Sequence, residues 1–277
     1  MKFIIAVFLL LTSMGLAAPK PVSFELIEIE GANITQVFDI NKAGDVSGIY
    51  YADTSQGSFI RKANGDIIPI QVPGQFTAVR GLDDFGNVTG QTSSGSFVYR
   101  NGQYSFLPSG LQAFDVSGDS VVGLTTSASD GTYRGFLFRN GTTTLLNYPG
   151  ATGGTIAFGI SAEGKIYGNY YIANAPNEVR GFVYEAGQYR PIDFPRVTAQ
   201  TQVLNGVGDI IVGAFWDQAD QDASCQFEPF IAIKDKFYVI DLPGIFISGV
   251  NEDGLIVGIL GSRRGFIARA NSFILKK

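Results

Sequence analysis

The chain predicts an all-β fold: a six-bladed β-propeller with four-stranded blades, its ring closed by an N-terminal strand. Three observations carry that expectation. Residues 160–195 read as four short strands separated by turns, and their pattern recurs about six times along the chain. In outline it is x-[IVL]-[NDS]-x-x-Gly-x-[IV]-x-Gly, a variable loop, Gly-Phe-hydrophobic, a glycine turn and a strand ending near Pro-Gly. The glycine expected to end each second strand falls at Gly48, Gly90, Gly123, Gly168, Gly213 and Gly258. Finally, no 3.6-residue hydrophobic period follows Ala18, and 35 glycines penalise helix throughout. Units of this size cannot bury both faces alone, so they must stack into an array. A sandwich would not need near-identical units, and a β-helix would have shorter ones.

The N-terminus reads as a leader. Lys2 supplies a one-charge n-region, residues 3–11 an apolar h-region, and Gly15-Leu16-Ala17 a small-x-small cleavage site. Residues 1–17 are therefore expected to be a signal peptide and residues 18–277 a single propeller domain, secreted to the extracellular space or periplasm. The apolar run is too short to span a bilayer as a helix, so no transmembrane anchor is expected. Residues 23–31 (SFELIEIEG) resemble the closing strand of each later repeat and would occupy the outer edge of the last blade. Residues 272–276 compete for the same position.

Within each unit the turns are legible. Asn41 to Gly44, Asp83 to Gly86, Ser161 to Gly164 and Asn251 to Gly254 pair a turn-initiating polar residue with a glycine that tolerates positive φ. Asn64-Gly65, Asn101-Gly102 and Asn140-Gly141 are hairpin signals between third and fourth strands. The third unit is the most reduced, with Ser117-Gly118-Asp119 in place of the fuller turn.

Composition excludes several functions. A net charge of −5 without a basic cluster argues against nucleic acid as a partner. The absence of His removes Ser-His-Asp and Cys-His chemistry and imidazole metal sites. The single cysteine, Cys225, allows no intramolecular disulfide, so a sizeable hydrophobic core must hold the fold.

The combination Gly-Ile-x-x-x-Gly-x-Ile-x-Gly, Gly-Phe-x-Tyr-x-x-Gly and Ile-Asp-x-Pro, spread over nearly the whole mature chain, resembles the bacterial extracellular HAF-repeat family. Arg134-Gly135-Phe136, Arg180-Gly181-Phe182 and Arg264-Gly265-Phe266 stand where that family's name-giving His-Ala-Phe tripeptide would be. The resemblance implies a secreted, propeller-like protein and brings no catalytic residues with it.

Candidate sites concentrate in the variable loops between second and third strands (51–57, 92–95, 125–134, 171–180, 216–228 and 260–264). Variation confined to one loop class of a regular scaffold marks where function is added. Tyr51, Tyr171 and Trp216 open three of these loops, each as the second aromatic of a pair. They either anchor the loops or grip a sugar or protein partner. Asp217, Asp220 and Asp222 form an acidic loop whose carboxylates suit Ca²⁺, although the spacing is not that of an EF-hand and a solvated loop is the simpler reading. No other cofactor is called for.

Arg134, Arg180 and Arg264 recur at one module position. They either bond a neighbouring blade or form a guanidinium ring for an anion. Asp39 and Asp115 occupy equivalent innermost positions, where other units carry Gly81, Gly159 and Gly249. The leading functional expectation is a binding or interaction module for an extracellular protein or glycan. The alternative is a polysaccharide hydrolase or lyase using Asp39, Asp115 or Asp217.

Overall fold

The repeated pattern folds into antiparallel meanders of short strands. The computed structural model describes residues 4–6, 23–173, 178–195, 199–217, 228–240 and 244–270. Among these there is no α-helix, and no helix long and apolar enough to cross a membrane. Two strands precede the repeats, β1 (Ile4–Ala6) and β2 (Ser23–Ile27). Then follow β3 (Ile34–Ile40), β4 (Val46–Tyr51), β5 (Gln56–Arg61) and β6 (Ile67–Ile70), paired in that order. The next meander is β7 (Ala78–Leu82), β8 (Val88–Thr92), β9 (Gly95–Arg100) and β10 (Gln103–Phe106).

An eight-stranded sheet comes third. It holds β11 (Gln112–Ser117), β12 (Ser120–Thr126), β13 (Tyr133–Arg139) and β14 (Thr142–Leu146), then β15 (Gly154–Ile160), β16 (Ile166–Ile172), β17 (Glu178–Glu185) and β18 (Gln188–Ile192). Its halves are antiparallel meanders joined at a single parallel pair, Tyr133 with Gly154. A further meander comprises β19 (Ala199–Val207), β20 (Ile210–Asp217), β21 (Glu228–Ile233) and β22 (Lys236–Val239). The last sheet runs β23 (Ile245–Val250), β24 (Leu255–Leu260) and β25 (Arg264–Arg269), with β2 and then β1 on its outer edge.

The expected N-terminal strand is therefore present but shorter than residues 23–31. It ends at Ile27 after pairing Phe24 with Ala268 and Ile27 with Gly265. The competing segment, residues 272–276, lies outside the described residues.

The repeated glycines explain the packing. Gly48, Gly90, Gly123, Gly168, Gly213 and Gly258 lie inside the second strands rather than at their ends, which corrects the sequence reading. A Cβ on Gly48 would come within 2.4 Å of the Gln36 carbonyl and 2.6 Å of the Phe59 ring. At Gly213 it would lie 2.0 Å from the Gln202 carbonyl and 2.8 Å from the Phe230 ring. The glycine thus makes room for the phenylalanine of the following third strand, which sits in Gly-Phe at Phe136 and Phe182, in Ser-Phe at Phe59 and Phe97, and in Pro-Phe at Phe230. Phe59, Phe97, Phe136, Phe182 and Phe230 are fully buried as a result.

Neighbouring meanders pack through the second strand of one and the leading strand of the next: β4 on β7, β8 on β11, β12 on β15, β16 on β19 and β20 on β23. In addition, β24 packs on β3. Side chains stitch the turns across these junctions. Asn251 Nδ2 donates to the Asn41 carbonyl at 2.9 Å, and Asn41 Nδ2 donates to the Asp83 carbonyl at 3.1 Å. Ser248 Oγ donates to the Val37 carbonyl at 2.8 Å. Ile27 sits in one apolar cluster with Val37, Ile40, Val46, Phe59 and Val257, so a single core joins the N-terminal strand, the first meander and the last.

The turns behave as their residues dictate. Gly44, at φ +81°, donates its N–H to the Asn41 carbonyl at 3.0 Å. Asn101-Gly102 and Asn140-Gly141 have positive φ at both positions, as two-residue hairpin turns require. Asn64-Gly65 differs. Only Gly65 has positive φ there, in a longer loop closed by the Gly65 N–H on the Lys62 carbonyl.

Candidate functional site

Every leading strand carries a bulge at the same level. The pairing shifts between Val37 and Asp39, Val79 and Leu82, Ala113 and Asp115, Ala157 and Gly159, Val203 and Asn205, and Ile247 and Gly249. A bulge turns one side chain out of alternation and re-aims it. Here the residues at the bulges are Phe38, Arg80, Phe114, Phe158, Leu204 and Ser248, and together with Phe246 they line one cavity of about 270 Å³. Since the start of β3 pairs with the end of β4 (Ile34 with Tyr51), this mouth opens toward the ends that carry the second-to-third loops.

The floor of the mouth is polar. Asp39, Asp115 and Asn205 line it, and they also line a smaller cavity of about 60 Å³ on the far side, among the Asn41, Ser161 and Asn251 turns. Each of the three lies against a glycine of an adjacent leading strand. A Cβ on Gly249 would fall 2.9 Å from Asp39 Oδ1, one on Gly81 2.2 Å from Asp115 Oδ1, and one on Gly159 3.0 Å from Asn205 Oδ1. The glycines at these positions are thus the space into which the polar side chains fit.

All three floor residues are buried. Asp39 accepts from the N–H groups of Ile40 and Leu82, both at 2.9 Å, and from Asn205 Nδ2 at 3.1 Å. Asp115 accepts from the N–H of Val116 at 2.7 Å and of Ile160 at 2.8 Å. The two carboxyls are close enough to each other to interact electrostatically. Burial pushes Asp39 up to about 7, against the N–H donors that pull it down. Burial and then the charge of Asp39 push Asp115 well above the usual carboxylate range. A proton shared between them is what makes two buried carboxyls in contact tolerable.

On the wall, the Arg80 guanidinium lies 4.9 Å from the centre of the Phe38 ring. The residue is open to solvent by area, yet the surrounding protein desolvates its charge and pulls it below its usual value. Phe114 and Phe158 stack with centroids 5.2 Å apart and planes 10° from parallel.

The structure places the other candidate residues elsewhere. Tyr51, Tyr171 and Trp216 sit half-buried at or near the ends of β4, β16 and β20, on separate meanders, and none lines the mouth. Tyr51 comes close enough to Arg80 to interact electrostatically. The first members of their pairs do pack inside: Tyr170 stacks on Tyr148 at 3.7 Å and Phe215 on Phe194 at 3.6 Å. Arg134 pairs with Asp130 at 2.8 Å, while Arg180 pairs with Glu178 and with Asp193 at 3.3 Å. Those partners belong to the arginines' own meanders, not to a neighbour: Asp130 and Glu178 precede them on the way into the third strand, and Asp193 follows the fourth. Arg264 lies beside Arg263 in a separate cavity near Glu28 and Glu30. The three arginines therefore share no cavity. Asp217 closes β20; its side chain, Asp220, Asp222 and Cys225 lie outside the described residues.

The sequence reading found Asp39 and Asp115 but missed Asn205, Arg80 and the phenylalanines at the bulges. The signal was available. The innermost position reads Asp, Gly, Asp, Gly, Asn, Gly along the chain, and the preceding residue reads Phe, Arg, Phe, Phe, Leu, Ser.

These features define a class of protein through its fold. The β-propeller domain of the Trilobed protease from Pyrococcus furiosus, described as having an open velcro topology, aligns with a TM-score of 0.56. The match covers 91% of this chain and 85% of that one at 11% identity. TolB from Acinetobacter baumannii aligns at 0.53 over 86% of this chain and 56% of its own, at 12% identity. A gluconolactonase from Xanthomonas campestris aligns at 0.53 over 90% of each chain, at 9% identity. No family model and no curated protein matches the sequence. At these identities the likeness carries the fold alone: the chain has an all-β, β-propeller architecture.

Proposed function

We propose that the chain is an exported, six-bladed member of this architecture, its ring closed by β2. Its role is that of a binding module for an extracellular protein or glycan. Six meanders packed in sequence, with β24 returning to β3 and Ile27 in their shared core, support the closed ring. The HAF-repeat resemblance and the leader-like N-terminus support export. The observation that carries the binding role is the mouth itself. Six bulges at one level converge on a concave site beside the variable loops, and concave, largely apolar clefts with a few polar groups are where ligands bind.

The geometry disfavours Asp39 and Asp115 as the carboxylate pair of a polysaccharide hydrolase. Glycosidase carboxylates stand roughly 5–9.5 Å apart to leave room for water and substrate. Asp39 and Asp115 are buried, interact with each other, and have oxygens committed to backbone N–H groups. A glycan array and a pull-down from native extracellular material test the binding role. Retention of a specific glycan or protein is the expected outcome; retention of nothing would remove the reading.

A further inference from the structure

We propose that the mouth seats a small organic anion with a flat apolar body, an aryl carboxylate in class. Its carboxylate would lie on Arg80 and its ring against Phe114, Phe158 and Phe246. The inference rests on reading this cavity as the ligand seat.

The argument starts from charge. Among the described residues no carboxylate forms an ion pair with Arg80; its recorded neighbour is the face of Phe38. A guanidinium that lines a cavity with no carboxylate paired to it is placed to take an incoming anion through charge-assisted hydrogen bonds. Among the described residues the mouth holds one guanidinium and no second cation, which suits a single negative charge better than a phosphate. The negative charge of the floor is offset by N–H donors: Asp39 accepts from Ile40, Leu82 and Asn205, and Asp115 from Val116 and Ile160.

The walls set the rest of the ligand. Phe38, Phe114, Phe158, Leu204 and Phe246 make the lining mostly apolar, and Phe246 is 44% exposed at the rim. Among the described residues outside the floor, Arg80 and Ser248 are the polar side chains of the lining, which favours a mostly apolar body in the seat. A volume of about 270 Å³ suits one or two fused rings. The opposite cavity is unlike it: smaller, and rimmed by the Lys42–Glu252 ion pair and Asp84.

The test is calorimetric titration of the protein with 2-naphthoate and with its neutral counterpart, 2-naphthalenemethanol. Naphthoate should bind one to one. The alcohol should bind about 10- to 100-fold more weakly, the usual effect of losing a charged hydrogen bond. Arg80→Gln should reduce naphthoate affinity by the same factor, Phe158→Ala should also weaken it, and Lys42→Gln on the opposite side should not. A thermal melt of each variant confirms that it is folded. No saturable binding at millimolar naphthoate, equal binding of the alcohol, or an indifferent Arg80→Gln would each overturn the proposal. If a glycan or protein is captured but naphthoate is not bound, this inference falls and the broader binding role stands. If naphthoate behaves as described but no extracellular material is retained, the anion seat stands and the macromolecular role falls.

Discussion

Asp115→Asn should change the sign of its effect on stability with pH. In the unfolded chain both carboxyls titrate at ordinary values, near 3.8. In the folded protein burial raises both, and the charge of Asp39 raises Asp115 further, so the native state holds protons that the unfolded state has released. Stability is then greatest below the unfolded value and is lost as pH rises through the raised ones. One extra proton held across the three units from pH 5 to pH 8 corresponds to about 4 kcal/mol lost, an upper bound for a floor that faces two cavities.

Asparagine at 115 removes one of the two charges. Its amide would donate to Asp39 much as Asn205 Nδ2 already does at 3.1 Å. The cost is an acceptor for the Ile160 N–H, about 1–3 kcal/mol when a buried donor is left unmet. The variant should therefore be the less stable protein at pH 5 and the more stable one at pH 8. Urea unfolding followed by circular dichroism at both pH values measures the difference. The chain has no His, so no imidazole masks this window. If wild type and variant lose stability in parallel between pH 5 and pH 8, the shared proton is not there.

Other outcomes follow from the same geometry. Gly123→Ala would set a Cβ 1.9 Å from the Gln112 carbonyl, backbone that cannot swing away, and should cost at least about 1–3 kcal/mol in chemical denaturation. Gly65→Ala meets no atom within 4 Å but sits at φ +99°, so its cost should be only about 1 kcal/mol, from backbone strain alone. Ile27→Ala should lower stability by about 2–5 kcal/mol, since Ile27 is wholly buried where the two ends of the chain meet. Arg134→Ala should leave the melting temperature nearly unchanged, because its partner Asp130 lies in an exposed loop.

Most of the scaffold was legible because its signals are local. Asn41 to Gly44 closes on itself through one backbone hydrogen bond, and the repeated Gly-Phe pairs encode a contact between adjacent strands. The ends of strands were less legible. Gly48 looks like a terminator in sequence, yet it sits mid-strand because the reason for it, the Phe59 ring, is on another strand. The site was the least legible part. Phe38 and Arg80 look like outward residues of alternating strands until a bulge reverses them, and a bulge is a property of the pairing rather than of either strand. Asp39 and Asp115 stood out as charged residues at glycine positions, but their contact depends on meanders brought together across 76 positions of chain (39 to 115).

The proposed closure of the ring would form the mouth, so it is the claim to test first. The direct measurement is the thermal melt of two truncations, one lacking residues 18–31 and one lacking residues 271–277. The first removes Phe24 and Ile27 from the core, each worth roughly 1.5–3 kcal/mol when fully buried, and also strips the partner strand from β25. Against a typical total of about 5–15 kcal/mol, that loss should lower the melting temperature sharply or abolish the transition. The second truncation should melt close to the intact protein. A first truncation that melts like the intact chain would contradict the closed six-bladed ring and the site built at its centre.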